Sequence, residues 1–316
     1  MDLNQTYTEQ TPYFVAFSMI PTIGFHTLTK LLSYFSTPEN VYLQKSSDLI
    51  PIIGTKKAEN IMKFKAKYTP HRILDGLIKK DIQIVTFEHY INTQIDLRFQ
   101  PNFICLYIKG SIQFLADSAP KIALVGTRKP TPYGLQYARY FSQQLTSAGF
   151  SITSGMAVGI DAAAHQTCID AKGYTVAIIG SGILVPPAPF QEKIYHAILR
   201  SGGTIISEFT PYAQAQPGHF VIRNRLISGL TDATIVIEGA ARSGAGITAR
   251  YAAEQGKDVY CIPGNIDSDN AQCANRLIQS GAHLVTSPDD IIAHFKKDAQ
   301  KSLKSRHDVT PATSAP

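Results

Sequence analysis

The chain has 316 residues, 44% of them hydrophobic and 17% charged, with a formal net charge of +6. Such a chain is long enough for about two domains with buried cores, and its composition excludes a disordered polymer. The four cysteines, Cys105, Cys168, Cys261 and Cys273, are scattered without a C-x-x-C pair; this argues against a zinc or redox motif and for a reducing, cytoplasmic setting.

The longest apolar run near the start, residues 13–20, is too short to cross a bilayer. It also lacks a basic flank and a cleavage site, so neither a membrane span nor a signal peptide is expected. The positive charge is uneven: residues 101–294 carry +1 and residues 295–316 carry +3. Global charge therefore does not identify a nucleic-acid binder, and the case rests on local clusters.

In chain order, residues 1–90 read as a small all-helical domain of helix-hairpin-helix or SAM-like type. Two similar stretches, Met19-Ile-Pro-Thr-Ile-Gly24 and Ile50-Pro-Ile-Ile-Gly54, place Pro21 and Pro51 30 residues apart. Each Pro–Gly element is expected to close a turn ahead of a helix, over 25–32 and 55–62. Such hairpins can hold a phosphate on backbone N–H groups, with Lys56 and Lys57 near by; the alternative is a purely structural helical unit.

Residues 91–120 read as a connector with one strand over 103–108. From Lys121 the pattern changes to α/β, with short β-branched runs alternating with helical periods. Strands are expected over 122–125, 151–153, 175–179, 204–207, 234–237, 259–262 and 283–285. Helices are expected over 133–148, 162–171, 190–200, 223–229, 247–255, 275–280 and 289–295. This alternation predicts an extended Rossmann-like domain over 121–296, with a parallel sheet covered on both faces and ligands at the carboxyl ends of the strands. Residues 297–316 lose apolar periodicity and read as a basic disordered tail.

Several expected strands end in glycine loops: Val125-Gly-Thr-Arg128, Ser154-Gly-Met-Ala-Val-Gly-Ile-Asp161, Ile179-Gly-Ser-Gly182, the segment Glu238 to Thr248 that carries Ser243-Gly244, and Pro263-Gly264. Glycines such as Gly126, Gly155 and Gly159 let backbone N–H groups approach a phosphate. No loop is a Walker A sequence or a G-x-G-x-x-G fingerprint, so NTP and dinucleotide roles are disfavoured. Near an expected helix start, Phe220 precedes Arg223-Asn224-Arg225. Paired guanidinium groups suit phosphate oxygens and an aromatic suits base stacking. The same arginines could equally be structural ion pairs to Glu208 or Glu238, with Phe220 in the core. Asp161 and His165 share a helix face at i, i+4; a helix cap and a buried hydrogen bond explain them better than a catalytic or metal pair. Ser243 lacks a nucleophile elbow and reads as a cap or a phosphate contact.

Taken in order, Val125-Gly-Thr-Arg128 with Tyr133-Gly134, Ser154 to Asp161 with His165, Ser207-Glu208, Phe220 with Arg223-Asn-Arg-Leu-Ile227, Ser243-Gly244 with Thr248-Ala249, Pro263-Gly264, and Asn275-Arg-Leu-Ile278 with Gly281-Ala282 resemble the DprA/Smf family of DNA-processing proteins. The resemblance spans about residues 100–295. It implies a single-stranded DNA-binding protein of natural transformation that protects incoming DNA and helps load the RecA recombinase, as a homodimer and without enzymatic activity, cofactor or metal. It places Arg128, the Ser154-Gly155 loop, Gly159, Phe220, Arg223, Asn224 and Arg225 around the DNA. Gly126, Ser243, Gly244 and Thr248 join them on loop chemistry, and Asp161, His165, Glu208 and Glu238 are expected as structural support. No winged-helix domain of the kind many members carry is expected after Phe295. The competing enzyme reading is a nucleotide-processing hydrolase related to the phosphoribohydrolases, whose P-G-G-x-G-T loop this chain lacks.

Overall fold

Strong start signals open most of the helices. Proline occupies the first turn of α3 (Pro38–Leu43), α6 (Pro70–Ile78), α9 (Pro132–Ser147), α11 (Pro189–Arg200) and α12 (Pro217–Gly229), where its missing N–H costs nothing and its fixed φ favours the helix. In this computed structural model residues 7–92 and 99–307 are described. The amino-terminal helices are completed by α1 (Thr11–Met19), α2 (Phe25–Phe35), α4 (Ser46–Ile53) and α5 (Thr55–Lys65).

The two hairpin-like copies differ in detail. Pro51 lies inside α4 rather than in a turn, and Gly54, at φ +81, reverses the chain. In the first copy the left-handed position falls on Thr22, at φ +72, and Gly24 is not left-handed. Lys57 Nζ donates to Thr27 Oγ1 at 2.9 Å, so that cation ties one copy to the other.

The strands are β1 (Gln83–Thr86), β2 (Cys105–Gly110), β3 (Lys121–Val125), β4 (Ser151–Ser154), β5 (Thr175–Ile178), β6 (Thr204–Ser207), β7 (Ala233–Val236), β8 (Asp258–Cys261) and β9 (His283–Leu284). They form one sheet in the order β1-β2-β6-β5-β4-β3-β7-β8-β9. From β6 to β9 all pairings are parallel, whereas β2 joins β6 and β1 joins β2 antiparallel. The remaining helices are α7 (Phe87–Asn92), α8 (Gln113–Ala116), α10 (Ile160–Asp170), α13 (Gly244–Glu254), α14 (Gln272–Gln279) and α15 (Pro288–His307).

The expected parallel α/β architecture is present, with three differences. First, β1 lies in the span read as all-helical and β2 in the span read as a connector, and both extend the sheet. The helical unit packs on them: Phe14 and Phe25 set their rings 5.3 and 5.1 Å from Phe87, edge to face, within one apolar core that continues through β2, β5 and β6. A second core holds α9, α10 and α15 against β3, β4, β7 and β8. Second, α12 starts at Pro217, six residues earlier than expected, because Pro217 opens the helix instead of ending a loop. Third, α15 runs to His307 through part of the span expected to be disordered, with Asp289 and Asp290 in its first turn, where carboxylates favour a helix. The rest of that tail, residues 308–316, lies outside the described residues.

α12 matters most for the site because it carries the chain from β6 across to β7, past β5, β4 and β3. Its carboxyl end is held by Lys257, which is 4% exposed. Lys257 Nζ donates to the carbonyls of Ser228, Gly229 and Thr231 at 3.1, 2.6 and 2.6 Å, a cation placed at the negative end of the helix. Replacing Lys257 with Met strands these buried carbonyls and should cost about 2–3 kcal/mol in chemical denaturation.

Candidate nucleic-acid interface

β3 lies between β4 and β7, so the loops on its two sides depart in opposite directions and leave a crevice at the carboxyl ends of the strands. A cleft of about 700 Å³ occupies that crevice, lined by the loop after β3 with Gly126, Arg128 and Lys129, by Phe220, Arg223 and Asn224 of α12, and by Arg242, Ser243, Gly244 and Thr248 at the start of α13. A second cavity of about 340 Å³ adjoins it, walled by Gly155, Met156, Gly180, Ser181 and Pro186–Pro187. Arg128, Phe220 and Arg223 line both cavities.

Arg223 is the buried centre, at 4% exposure. One of its Nη groups donates to the Gly155 carbonyl at 2.8 Å and to the Ile178 carbonyl, at the ends of β4 and β5, and Nε donates to Asn224 Oδ1 at 3.2 Å. Burial pushes the guanidinium down to about 10, with the Asp161 charge pulling it back up and Arg128 adding to the depression; it remains charged at neutral pH. Asp161 accepts from the Gly155 N–H at 3.1 Å and the Ala157 N–H at 3.4 Å. Burial raises its carboxyl above the usual range, against the opposing pull of Arg223 and those amides. Gly155 is required sterically: a Cβ there would lie 2.8 Å from the guanidinium and 2.9 Å from the Asp161 carboxylate.

Phe220 precedes Arg223 by three residues, so both side chains lie on one face of α12. The Arg128 and Arg223 guanidinium carbons stand 5.5 and 5.8 Å from its ring centroid, within cation–π range. Gly180 gives the ring room, since a Cβ there would sit 2.8 Å from it. Arg128, Lys129 and Arg242 are exposed, and none has an acidic partner among the described residues. Ser243 caps α13 by accepting from the Gly246 N–H at 3.3 Å, so the positive end of this helix opens on the cleft. Asn224 Nδ2 donates to the Gly244 carbonyl at 3.2 Å and Thr248 Oγ1 donates to the same atom at 3.2 Å, which fixes that end of the helix.

Three expected contacts do not face the cleft. Arg225 lies two residues from Arg223 in the middle of a helix, so it points to the other side. Its guanidinium pairs with Glu208, their side chains being 11% and 9% exposed; for this residue the ion-pair reading holds. Burial raises the Glu208 carboxyl to about 7 and depresses Arg225, each opposed by the other's charge. Ser154 is buried in β4 and its hydroxyl donates to the Leu124 carbonyl at 2.6 Å. Gly159, at φ +89, is the N-cap of α10 and packs against the loop after β3, where a Cβ would lie 2.5 Å from the Thr127 carbonyl oxygen. Asp161 is therefore not the cap of α10 but a brace within its first turn.

His165 and Glu238 have structural partners. His165 Nδ1 meets Thr175 Oγ1 at 2.7 Å in the core. Glu238 accepts from the Thr131 N–H at 3.0 Å and from the Thr131 hydroxyl, pinning the far end of the loop that carries Arg128. The two residues that sequence reasoning passed over are Lys129 and Arg242. Both sit in glycine-bearing segments between a strand and a helix, and that placement was the available signal.

The chain matches the family described as DNA recombination-mediator protein A over residues 88–296. It belongs to that family. Protein Smf of Synechocystis is 31% identical over 285 residues, 89% of this chain and 71% of the relative. DNA processing protein DprA of Bacillus subtilis is 38% identical over 188 residues, 59% of this chain and 62% of the relative; against Protein Smf of Escherichia coli the chain covers half of the relative's length. The solved DNA processing protein A of Streptococcus pneumoniae superposes with a TM-score of 0.72 at 28% identity, over 91% of this chain and 98% of that one. A Helicobacter pylori structure, reported for the single-stranded DNA binding mode of its DNA processing protein A, gives a TM-score of 0.59 at 26% identity, over 65% of this chain and 93% of that one. The family match thus begins within α7 and takes in the whole cleft.

Two outcomes follow for the support around the site. Burial, reinforced by the Arg223 charge, pushes His165 down to about 3, while an unfolded histidine titrates near 6.5. The unfolded chain therefore binds this proton first, and the stability tied to neutral His165 is complete above pH ~6.5 and lost as pH falls toward 3. Glu208, raised to about 7, titrates in the same window with the opposite sign, so the readout is the difference between parent and His165→Gln, which should change by about 2 kcal/mol between pH 7 and pH 5 in chemical denaturation. Arg225→Ala should cost about 3–5 kcal/mol by leaving Glu208 buried alone, with the folded variant keeping the parent affinity for single-stranded DNA in anisotropy titrations.

Proposed function

We propose that this protein binds single-stranded DNA in the cleft at the β3–β7 switch point, as a non-enzymatic mediator of DNA processing. The observation that carries the reading is the company kept by Phe220: three exposed cations without acidic partners, Arg128, Lys129 and Arg242, share its cleft with the amino end of α13. Phosphate oxygens neutralise such a surface, and an aromatic beside it rewards bases that are free to stack, which a duplex does not offer. Arg223, Asp161, Ser154, Asn224 and Thr248 hydrogen-bond within the protein, and the cleft offers positioned charge and a ring.

The single-stranded DNA reported for the Helicobacter pylori relative supports the ligand class, and the family description supports a place in recombination. On that basis the finer role is protection of incoming single strands during transformation and their hand-over to RecA, by a cytoplasmic homodimer. Among the described residues no helix is long and apolar enough to cross a membrane.

In anisotropy titrations, single strands should bind more tightly than duplex of the same length, and affinity should fall with salt at a slope of about 0.7 per phosphate neutralised. Arg128→Ala and Phe220→Ala should each weaken single-strand binding by about 1–3 kcal/mol. Binding that ignores both salt and these substitutions would sink the reading.

A further inference from the structure

The cleft does not end at Arg128. A third cavity, about 550 Å³, opens on the opposite side of that residue between α9, α10 and α11. Its walls carry Arg139 from α9 and Phe190 with Lys193 from α11, and its floor is Gly159, Ala162 and Ala163 of α10. Arg128 lines all three cavities, and Phe190 lines both this one and the 340 Å³ cavity beside Phe220. The three cavities thus adjoin around Arg128, with Phe220 shared by the first two and Phe190 by the second and third, and we refer to them together as a channel.

Helical spacing aims these side chains into the channel. Arg139 follows Leu135, another wall residue, by four positions, and Lys193 follows Phe190 by three, so each pair shares a helix face. The small floor residues leave room for a chain to lie close to α10. Arg139 and Lys193 are exposed and have no ion-pair partner among the described residues. No carboxylate lines this cavity, and Gln166 in its wall donates through Nε2 to Asp170 at 2.8 Å. Phe190 is 64% exposed, an unusual place for a large aromatic, and it lines the same cavity as Arg139 and Lys193.

We propose that this channel is a second segment of the DNA track: a strand leaving the Arg128–Phe220 cleft continues between α9, α10 and α11, with Arg139 and Lys193 contacting successive phosphates and Phe190 stacking a base. The proposal rests on the function proposed above and adds an exit path and a longer footprint to it. A phosphodiester chain is the occupant that fits, because exposed cations and aromatic rings share these adjoining cavities, as they do in single-strand tracks.

The test uses the full chain and oligothymidylates of roughly 5 to 30 nucleotides, spanning the ~4–16 nucleotides that one binding module covers. Arg139→Ala with Lys193→Ala should leave the affinity of the shortest strands unchanged and reduce that of long strands, with the salt slope on long strands shallower by about 1.4 for two lost phosphate contacts. Phe190→Ala should weaken long strands roughly fivefold or more, and Phe190→Tyr should restore them. All three side chains are exposed, so thermal midpoints should match the parent. Equal affinities and slopes for parent and double variant at every length, or an equal loss on short and long strands, would overturn the proposal. Arg128→Ala separates the two readings. If it weakens every length while the double variant changes nothing, the cleft stands and the extension fails. If it too binds like the parent, the DNA-binding function itself fails.

Discussion

The carbonyls at the ends of β4 and β5 point into a crevice where the sheet's own hydrogen bonding stops, and buried carbonyls need donors. Arg223 supplies them from beneath, on a helix that belongs to a later part of the chain. A buried guanidinium is expensive unless its charge is answered and its donors are used, and Asp161 answers the charge while accepting from the amides of the loop after β4. Everything around this arrangement is constrained by it. Gly155 has no room for a side chain, α12 has one rotational setting, and Phe220, one turn before Arg223, is thereby held at the mouth of the cleft with Arg128 laid over it.

That constraint sorts the basic residues into two sets. Arg223, Arg225 and Lys257 are enclosed and spend their donors on backbone carbonyls or on Glu208. They hold α12 at its centre, on its rear face and at its carboxyl end. Arg128, Lys129 and Arg242 stand on loops that leave the sheet at the switch point and stay exposed. Arg139 and Lys193 continue the exposed set along the helices. A protein with almost no net charge in its α/β part can thus present a locally cationic path, because the internal cations are already matched and the external ones lie along one side of the sheet. The field a ligand meets is set by this placement rather than by the sum.

The loop after β3 shows how rigidity and exposure are combined. Its far end is anchored by Glu238, which takes both the N–H and the hydroxyl of Thr131. Its middle is clasped by α10, whose Ile160 N–H donates to the Thr127 carbonyl at 3.2 Å. Between these two anchors Arg128 and Lys129 extend outward on fixed backbone. Such preorganisation lowers the ordering cost of binding, which matters for a flexible single strand that must itself be ordered.

Local pattern in the sequence was sufficient for the parallel α/β architecture and for the strands from β3 to β9, because short β-branched runs between helical periods have one stable arrangement. It was also sufficient to place glycine loops at the strand ends and to mark Arg128, Phe220 and Arg223 as the candidate site. What lay beyond it depended on contacts between distant segments. β1 is a short apolar run whose strand character is settled by pairing with β2, and β2, expected as a strand over 103–108, joins the main sheet only through its antiparallel pairing with β6. Arg223 and Arg225 are chemically alike and two positions apart, and their separation into cleft and ion pair depends on α12 beginning at Pro217. Glu208, 17 residues before Arg225, is nearer in sequence to Arg223, and only the rotation of a helix decides which arginine it meets. Residue type thus announced the cations, while tertiary structure decided which are internal and which remain for a ligand. A charge has no direction in a sequence and acquires one only when the backbone that carries it is packed.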